Sequence, residues 1–367
     1  MKSMPSEEIT KILIVGPLPP PIGGSPLTVQ AMIDELARYP STETALINTS
    51  PLRDVRKKMT GFNFEKVRRM IFVLTHYIHD VRSSRVVLVF ANDLFAFILV
   101  PILLLLARIY HKPFYIKPVG GGLDLYLADQ NRIFREYLLN VLRSADGVLA
   151  QTQLLQAALI KMGCTNTYYL PGCRPLHPLT RLPNKNPDEL RLIFLGHITR
   201  EKGPLILLEA LQFVAQQCST RVSCDYYGPI HDDIRAEFLS QMEVTPNVHY
   251  CGVAEAGTGS QLISEHDVLV LPTCYDTEGH PGVLIEAMQA GVPIISTQIR
   301  TIPELVTHGE NGILVPVRNS PALAEAIKQI ALDCPLREKM GQTNYLRGYE
   351  FRSDVVVAQL LNIILPK

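Results

Sequence analysis

The 367-residue sequence lacks the cysteine and carboxylate patterns that hold disulfides or metal ions in place. Its seven cysteines are scattered, and no two of them form a C-x-x-C pair. An odd, scattered set is typical of reduced thiols in the cytoplasm and argues against a disulfide framework. Neither a D-x-D motif nor a cluster of histidines and cysteines is present, so we expect neither a metal nor another cofactor.

Long apolar runs are also missing. The most apolar stretch, residues 94–107, has 14 residues and contains Pro101, whereas a membrane-spanning helix needs about 20. This stretch therefore predicts a buried or membrane-facing helix. The N-terminal MKSMPSEEIT has no apolar signal core, so we expect a cytoplasmic protein, held at most peripherally at the inner face of a membrane.

Net charge is zero, but the charge is unevenly distributed. Residues 1–175 hold 20 basic and 13 acidic residues, and the remainder holds 15 and 22. Much of the basic excess lies just before an apolar helix predicted at residues 70–78, in Arg53, Arg56, Lys57, Lys58, Lys66, Arg68 and Arg69. This stretch is either a solvated face or a patch that binds an anionic membrane surface carrying a lipid-linked acceptor. Nucleic acid is not expected, because no recognition motif accompanies the charge.

Short apolar runs of strand type alternate with helical patterns along the chain. They lie at residues 11–16, 44–49, 85–90, 113–117 and 146–152, and again at 191–196, 221–228, 247–252, 267–272, 292–297 and 312–316. The alternation predicts an α/β protein with two doubly wound parallel sheets. Five prolines in residues 171–187 predict a linker between two domains. Ligands of such sheets bind at the carboxyl ends of the strands, so we expect a cleft there.

Two glutamates, Glu278 and Glu286, bracket a Gly-His-Pro-Gly turn at residues 279–282. Pro281 is expected in the first turn of a helix, whose N-terminal amides favour an anion such as phosphate beside Glu278. Glu286 lies deeper on this helix, where a carboxylate can accept hydrogen bonds from adjacent hydroxyls of a ribose or sugar. A single glutamate is more often a solvated helix residue, but Glu286 interrupts an otherwise apolar run at residues 283–288.

Three motifs follow predicted strands. The E-x7-E pair of the two glutamates continues into EAMQAGVPII and, later, GENGILVP. FLGHITREKG occupies residues 194–203, and VGPLPPPIGGSP occupies residues 15–26. Together these motifs resemble glycosyltransferase family 4, whose members are retaining enzymes of the GT-B fold. In that family the second motif holds the donor diphosphate, and the third is a glycine loop.

The resemblance implies two Rossmann-like domains that face a central cleft. Residues 1–175, with a C-terminal helix at about 346–367, would bind the acceptor, and residues 176–345 would bind the nucleotide-sugar donor. The implied activity is a metal-independent transfer of a sugar from a nucleotide diphosphate sugar to a glycan or lipid-linked acceptor. Such a reaction would serve surface polysaccharide or lipopolysaccharide assembly.

The resemblance also implies roles for individual residues. Glu278, Lys202 and Asp124 would act in catalysis, although Lys202 could instead be a solvated lysine and Asp124 an N-cap. Ser25 and Pro26 are expected to cap and begin the helix of the glycine loop. Main-chain contacts near residues 228–229 and 252–254 would bind the donor base, which leaves uracil and guanine undistinguished. The donor-binding residues are Gly23, Gly24, Gly196, His197, Lys202, Gly228, Gly252, Val253, Glu278, Gly279, His280, Pro281, Gly282 and Glu286.

Two departures from the family pattern leave an alternative open. His197 stands where the family has an arginine on the diphosphate, a loss that Arg200 could compensate. Lys117 begins the segment where the family commonly has a histidine near the donor sugar. The alternative is a non-catalytic sugar-nucleotide-binding subunit of a glycosylation complex. A nicotinamide-dependent oxidoreductase is disfavoured, because no G-x-G-x-x-G follows the first strand.

Overall fold

The structure, a computed structural model, describes residues 9–20, 23–50, 64–91, 94–176, 189–255 and 257–365. The chain packs into two compact units, Met1–Cys173 with Ser353–Lys367, and Arg174–Arg352. The C-terminal segment of the first unit begins at Ser353, whereas the sequence placed it at about 346, because residues 346–352 continue the second unit. Most of the predicted linker, from residue 177 onward, lies outside the described residues, as do Arg53, Arg56, Lys57 and Lys58.

A six-stranded parallel sheet forms the centre of the first unit. Its strands are β1 (Thr10–Gly16), β2 (Thr42–Asn48), β3 (Val86–Ala91), β4 (Phe114–Pro118), β5 (Gly147–Ala150) and β6 (Thr167–Tyr169), in the order β2-β1-β3-β4-β5-β6. The helices between them are α1 (Gly24–Leu36), α2 (Phe64–Ser83), α3 (Leu94–Ile109), α4 (Leu123–Asp129), α5 (Arg132–Ser144) and α6 (Gln153–Lys161). The five predicted strands are confirmed, and β6 is an additional edge strand.

Alternating residues of β1 supply apolar cores on both faces of this sheet. Leu13 and Val15 pack into a core with residues of α2, α3, α5 and α6. Ile12 and Ile14 pack into a second core with residues of α1 and of the last helix of the chain. All four side chains are at most 1% exposed, and burying each contributes about 1.5–3 kcal/mol. A strand covered on both faces reads as the continuous apolar run seen in the sequence.

The second unit has its own six-stranded parallel sheet. The strands are β7 (Glu189–Leu195), β8 (Arg221–Tyr227), β9 (Val248–Tyr250), β10 (Val268–Leu271), β11 (Ile294–Thr297) and β12 (Gly312–Val315), in the order β12-β11-β10-β7-β8-β9. The helices are α7 (Pro204–Gln217), α8 (Arg235–Val244), α9 (Gly259–Ser264), α10 (Gly282–Gln289), α11 (Ile302–Leu305), α12 (Ser320–Leu332) and α13 (Cys334–Gly348), with 3-10 turns at Arg200–Lys202 and Tyr349–Phe351. All six predicted strands are confirmed.

The last helix, α14 (Ser353–Ile364), packs beside α1 in the first unit. The Tyr115 hydroxyl donates a hydrogen bond to the Ile363 carbonyl at 3.2 Å, and the Ser353 hydroxyl donates to Glu35 at 3.1 Å. These contacts fix α14 from both of its ends.

Strand order reverses once in each sheet, between β1 and β3 in the first and between β7 and β10 in the second. Loops leave neighbouring strands in opposite directions at such a point, which opens a crevice at the carboxyl edge of the sheet. The motifs of residues 194–203 and 272–291 follow β7 and β10, so they flank the crevice of the second sheet.

Candidate functional site

Three glycines stand side by side after β7, β8 and β9. Gly196, Gly228 and Gly252 all have positive φ angles, of 143°, 141° and 83°. The Gly196 amide donates to the Tyr227 carbonyl at 3.0 Å, and the Gly228 amide donates to the Gly252 carbonyl at 2.8 Å. A β-carbon on Gly228 would collide with the Gly196 carbonyl oxygen, so only glycine fits. We call these three residues the glycine ledge; Gly228 is buried in it, Gly196 and Gly252 are partly exposed, and the exposed Val253 follows it.

His197 lies next to the glycine ledge and pairs with a second histidine. Its Nδ1 is 3.1 Å from Nε2 of His231, and the two rings meet edge to face. The Arg200 guanidinium donates to Glu237 of α8 at 2.7 Å, in an exposed ion pair. Its compensation for the missing arginine stays a prediction.

Lys202 and Glu278 form an ion pair at the point where strand order reverses. The 3-10 turn at Arg200–Lys202 carries the lysine to the loop after β10, where Nζ donates to Oε1 of Glu278. The side chains are only 24% and 10% exposed, so Lys202 is not a solvated lysine. Its Nζ also lies 5.8 Å from the centre of the Tyr275 ring. Gly203 ends the turn with φ of 76° and is the N-cap of α7.

Two buried threonine hydroxyls form hydrogen bonds in and around the loop that carries Glu278. The Thr301 hydroxyl lies 3.0 Å from the Glu278 carbonyl and 2.8 Å from the Gly279 carbonyl. Thr273 donates to the Glu201 carbonyl at 3.2 Å and reaches Glu278 Oε1 at 3.4 Å. Both threonines are fully buried, so water does not compete for these hydrogen bonds.

His280 lies with its side chain inside the protein. Its Nε2 is 3.3 Å from Glu304 of α11, and its ring meets Phe351 edge to face. The side chain is fully buried, so any contact of His280 with a ligand would come from its main chain. Pro281, predicted in the first turn, is instead the N-cap of α10, and the helix starts one residue later because the ψ angle of Pro281 is extended.

Glu286 pairs with an arginine that the sequence did not single out. Arg174 donates from Nε to Oε1 of Glu286 at 2.7 Å, and both side chains are nearly buried. A β-carbon on Gly282 would collide with the Arg174 guanidinium, and one on Gly259 with Oε2 of Glu286. At Gly282 the space that a side chain would occupy therefore holds the Arg174 guanidinium.

The glycine loop of the first unit has a different cap from the predicted one. Gly23, not Ser25, is the N-cap of α1, because Gly23 has an extended backbone and its carbonyl accepts from the Leu27 amide at 3.1 Å. A β-carbon on Gly24 would meet no atom within 4 Å. The loop therefore leaves open space at its main chain.

Lys117 of β4 and Asp124 of α4 are the two polar candidates near the carboxyl edge of the first sheet. Asp124 is the second residue of α4, whose N-cap is Gly122, so it is not the capping residue. Lys117 is buried, and its Nζ donates to the Leu170 carbonyl at 2.6 Å. Burial lowers the pKa of Lys117 to about 8. Of these two residues, Asp124 is the more accessible.

No group of three or more His, Cys, Asp or Glu side chains lies close enough to hold a metal ion in the part of the chain that the structure describes. Within that same part, no helix has both the length and the apolar character to cross a membrane.

Residues 189–333 match the family model described as Glycosyl transferases group 1. The match covers most of the second unit. Its glycine ledge, its Lys202–Glu278 pair and both glutamates of the E-x7-E motif lie within the matched residues. The family resemblance predicted from the motifs is thereby confirmed.

Several curated relatives that match the chain carry glycosyltransferase names. The putative colanic acid biosynthesis glycosyltransferase WcaL of Escherichia coli is 28% identical over 261 residues, which are 68% of this chain and 64% of WcaL. The N-acetyl-alpha-D-glucosaminyl L-malate synthase of Bacillus anthracis is 30% identical over 177 residues, 47% of this chain and 44% of the relative. The chain thus spans about half of the length of the curated relatives it matches.

Similarity in fold to solved structures covers nearly the whole chain. A crystal structure of HepE from Anabaena, in complex with UDP and glucose, is 17% identical with a TM-score of 0.72, and the match covers 98% of this chain and 100% of HepE. At this identity the match shows the fold alone. The predicted GT-B fold, with two Rossmann-like units, is confirmed.

Proposed function

We propose that this group 1 glycosyl transferase moves a sugar from a nucleotide diphosphate sugar to a glycan or lipid-linked acceptor, in surface polysaccharide or lipopolysaccharide assembly. The observation that carries the proposal is the Lys202–Glu278 ion pair, held at the reversal of strand order beside the N-terminus of α10. A cation and helix amides attract a diphosphate, while a carboxylate accepts hydrogen bonds from sugar hydroxyls. The names of the relatives in colanic acid synthesis support the class of product.

Each part of the second unit has a role in this proposal. Lys202 and the amides at the start of α10 bind the diphosphate, and the Lys202–Glu278 pair opens so that Glu278 can accept sugar hydroxyls. Glu286 binds the ribose. The main chain of the glycine ledge and Val253 bind the base. His197, paired with His231, adds hydrogen bonds to phosphate in place of the family's arginine.

The chemical step needs no protein nucleophile in this proposal. The acceptor oxygen bonds to the anomeric carbon as the bond from that carbon to the diphosphate oxygen breaks, on the same face, so configuration is retained. The acceptor proton passes to the departing phosphate oxygen. Lys202 and the α10 amides stabilise the charge that develops on the diphosphate, without a metal ion. Asp124 of the first unit stays a candidate for orienting the acceptor hydroxyl.

The exposed faces of α2 and α3 support a proposed membrane surface near the acceptor. Ile71 and Phe72 of α2 and Leu105 and Ile109 of α3 are 47–60% exposed, although both helices are also packed into the core. Exposed Arg68 lies one turn before Phe72. Apolar side chains next to a cation match the interface of an anionic membrane, where a lipid-linked acceptor would reside.

A panel of nucleotide diphosphate sugars tests this function. Thermal stabilisation should identify one donor, and that donor should then lose its sugar to water or to a lipid-linked acceptor in the presence of a chelator. Configuration of the product is read from its anomeric coupling by NMR. A donor that binds but never reacts with any acceptor would favour the non-catalytic subunit, which the replacement of arginine by His197 also suggests. A reaction abolished by the chelator would contradict metal independence.

A further inference from the structure

Arg174 lies at the start of the second unit and is fixed to α10 by main chain and side chain alike. Its amide donates to the Phe351 carbonyl at 3.0 Å, and its carbonyl accepts from Nε2 of Gln289 at 3.2 Å. Its guanidinium reaches Glu286, one turn earlier on the same helix, at 2.7 Å. Glu286 and Gln289 therefore hold a single arginine from two adjacent turns of α10.

The Arg174–Glu286 pair is enclosed rather than exposed. The side chains are 7% and 12% exposed, and the α-carbons of Gly282 and Gly259 close over the guanidinium and the carboxylate. An alanine at either glycine would collide with the pair. Surface ion pairs contribute little and adopt many geometries, whereas an enclosed pair has one geometry and is costly to break.

We propose that Arg174 is a positioning residue for the donor: it holds the Glu286 carboxylate in the single orientation from which it accepts the ribose hydroxyls. This proposal rests on the proposed function, because it takes Glu286 as the ribose ligand. Nε donates to Oε1, and the guanidinium compensates the charge of the carboxylate. The second oxygen, Oε2, lies so close to Gly259 that a β-carbon there would collide with it. Without the arginine, a nearly buried carboxylate would lose both its orientation and its counter-charge.

The test compares nucleoside diphosphates with their 2′,3′-dideoxy forms, which lack the two ribose hydroxyls. Affinities are measured by calorimetric titration for the full-length wild type, Arg174→Gln and Glu286→Gln. The wild type should bind the hydroxylated form of its preferred base about 10- to 100-fold more tightly than the dideoxy form. Arg174→Gln should bind the hydroxylated form at least 10-fold more weakly and should no longer distinguish the two forms. The double variant should bind no more weakly than the weaker single variant, since both act on one contact.

Arg337→Gln is the matched control. Arg337 is another arginine of the second unit, 5% exposed, but it donates to the Ile330 carbonyl and contacts the Cys334 sulfur instead of a carboxylate. Its loss should lower thermal stability without changing the preference for the hydroxylated nucleotide. Arg174→Lys, which keeps the charge but not the planar Nε donor, should regain part of the affinity and serves if Arg174→Gln does not fold.

The outcomes separate this proposal from the function on which it rests. If the wild type binds nucleoside diphosphates and Arg174→Gln keeps the full preference for the ribose hydroxyls, Arg174 does not position Glu286. If the wild type binds but never distinguishes the dideoxy form, Glu286 is not a ribose ligand and the positioning role is lost with it. If no nucleotide binds the wild type at all, the proposed function itself is wrong.

Discussion

The two units have sheets of the same size but different carboxyl edges. The second sheet has the order of a dinucleotide-binding sheet. After β10 lie two carboxylates, Glu278 in the loop and Glu286 on α10, each paired with a cation. The first sheet has a different order, and the described loops at its carboxyl edge offer open glycine backbone, with Lys117 turned inward. Two sheets of similar architecture thus have charged side chains near one carboxyl edge and open glycine backbone near the other. The difference lies in the residues that follow the strands, where function is decided.

The largest expected effect comes from removing the Glu278 charge. Glu278→Gln should lower kcat by about 100- to 1000-fold and change KM for the donor far less, because a group beside the reacting sugar acts mainly in the transition state. Steady-state kinetics with the identified donor measures both constants. Glu237→Gln, which breaks the exposed pair with Arg200, should leave them unchanged. Equal losses in kcat and affinity would make Glu278 a binding residue.

The stability of Lys117→Met tests whether burial lowers the pKa of Lys117 in the first unit. Its pKa is lowered to about 8 by burial, so between about pH 8 and 10.5 the unfolded chain binds more protons and the folded state gains stability as pH rises. Lys117→Met should therefore be more stable than the wild type by up to about 3 kcal/mol at pH 7, less the lost hydrogen bond to Leu170. The difference should shrink towards pH 10.5 in urea unfolding curves. A constant difference across this range would mean that Lys117 keeps its ordinary pKa, and hence its charge, in the folded state.

Glu286→Ala should weaken nucleotide binding by about 1.5–3 kcal/mol, the contribution of a charge-assisted hydrogen bond. It should also lower the melting temperature, because Arg174 would stay buried without its carboxylate. Glu286→Gln keeps an acceptor oxygen for Arg174 and should lose affinity with a smaller loss of stability. Calorimetric titration and thermal unfolding separate the two effects. Unchanged affinity in both variants would remove the ribose assignment.

The smallest effect is expected at the exposed faces of α2 and α3 in the first unit. Binding to anionic vesicles should weaken with salt, and Arg68→Glu should reduce it further by about 1 kcal/mol per charge lost. Arg69 is a poorer choice, because it donates to the Thr49 carbonyl at 2.8 Å and holds local structure. Arg221→Glu, an exposed arginine of the second unit, is the control in vesicle sedimentation. Salt-insensitive binding, or an equal effect of both variants, would assign residues 53–69 to a solvated face.

Strands and local motifs could be predicted from the sequence because their causes are local. Residues 268–271 are buried on both faces, and buried parallel strands are continuous apolar runs. Strand β6 was missed because it is three residues long and only Thr167 is buried. The N-cap of α1 was assigned to Ser25 from side-chain preference, but the extended backbone of Gly23 decides it.

Contacts between distant residues could not be predicted from the sequence. Arg174 and Glu286 are 112 positions apart, and the arginine lies outside any motif. His197 finds His231 34 residues later, and Arg200 finds Glu237 on another helix. The residue types near the site were predicted, but their pairing is set by tertiary packing. The assignments of individual residues to donor and acceptor remain predictions.

The chain passes into and out of the second unit at one place. Arg174 and Arg352 form a β-bridge, and Nε2 of Gln289 donates to the carbonyls of Arg174 and Phe351, the two passing segments, at 3.2 and 3.3 Å. The second unit is therefore inserted into the sequence of the first unit, and its two ends lie next to each other. Replacing residues 174–352 with a short linker from Cys173 to Ser353 would therefore remove the second unit from the chain. The first unit, with α14 restored beside α1, would then be a candidate for a self-standing domain.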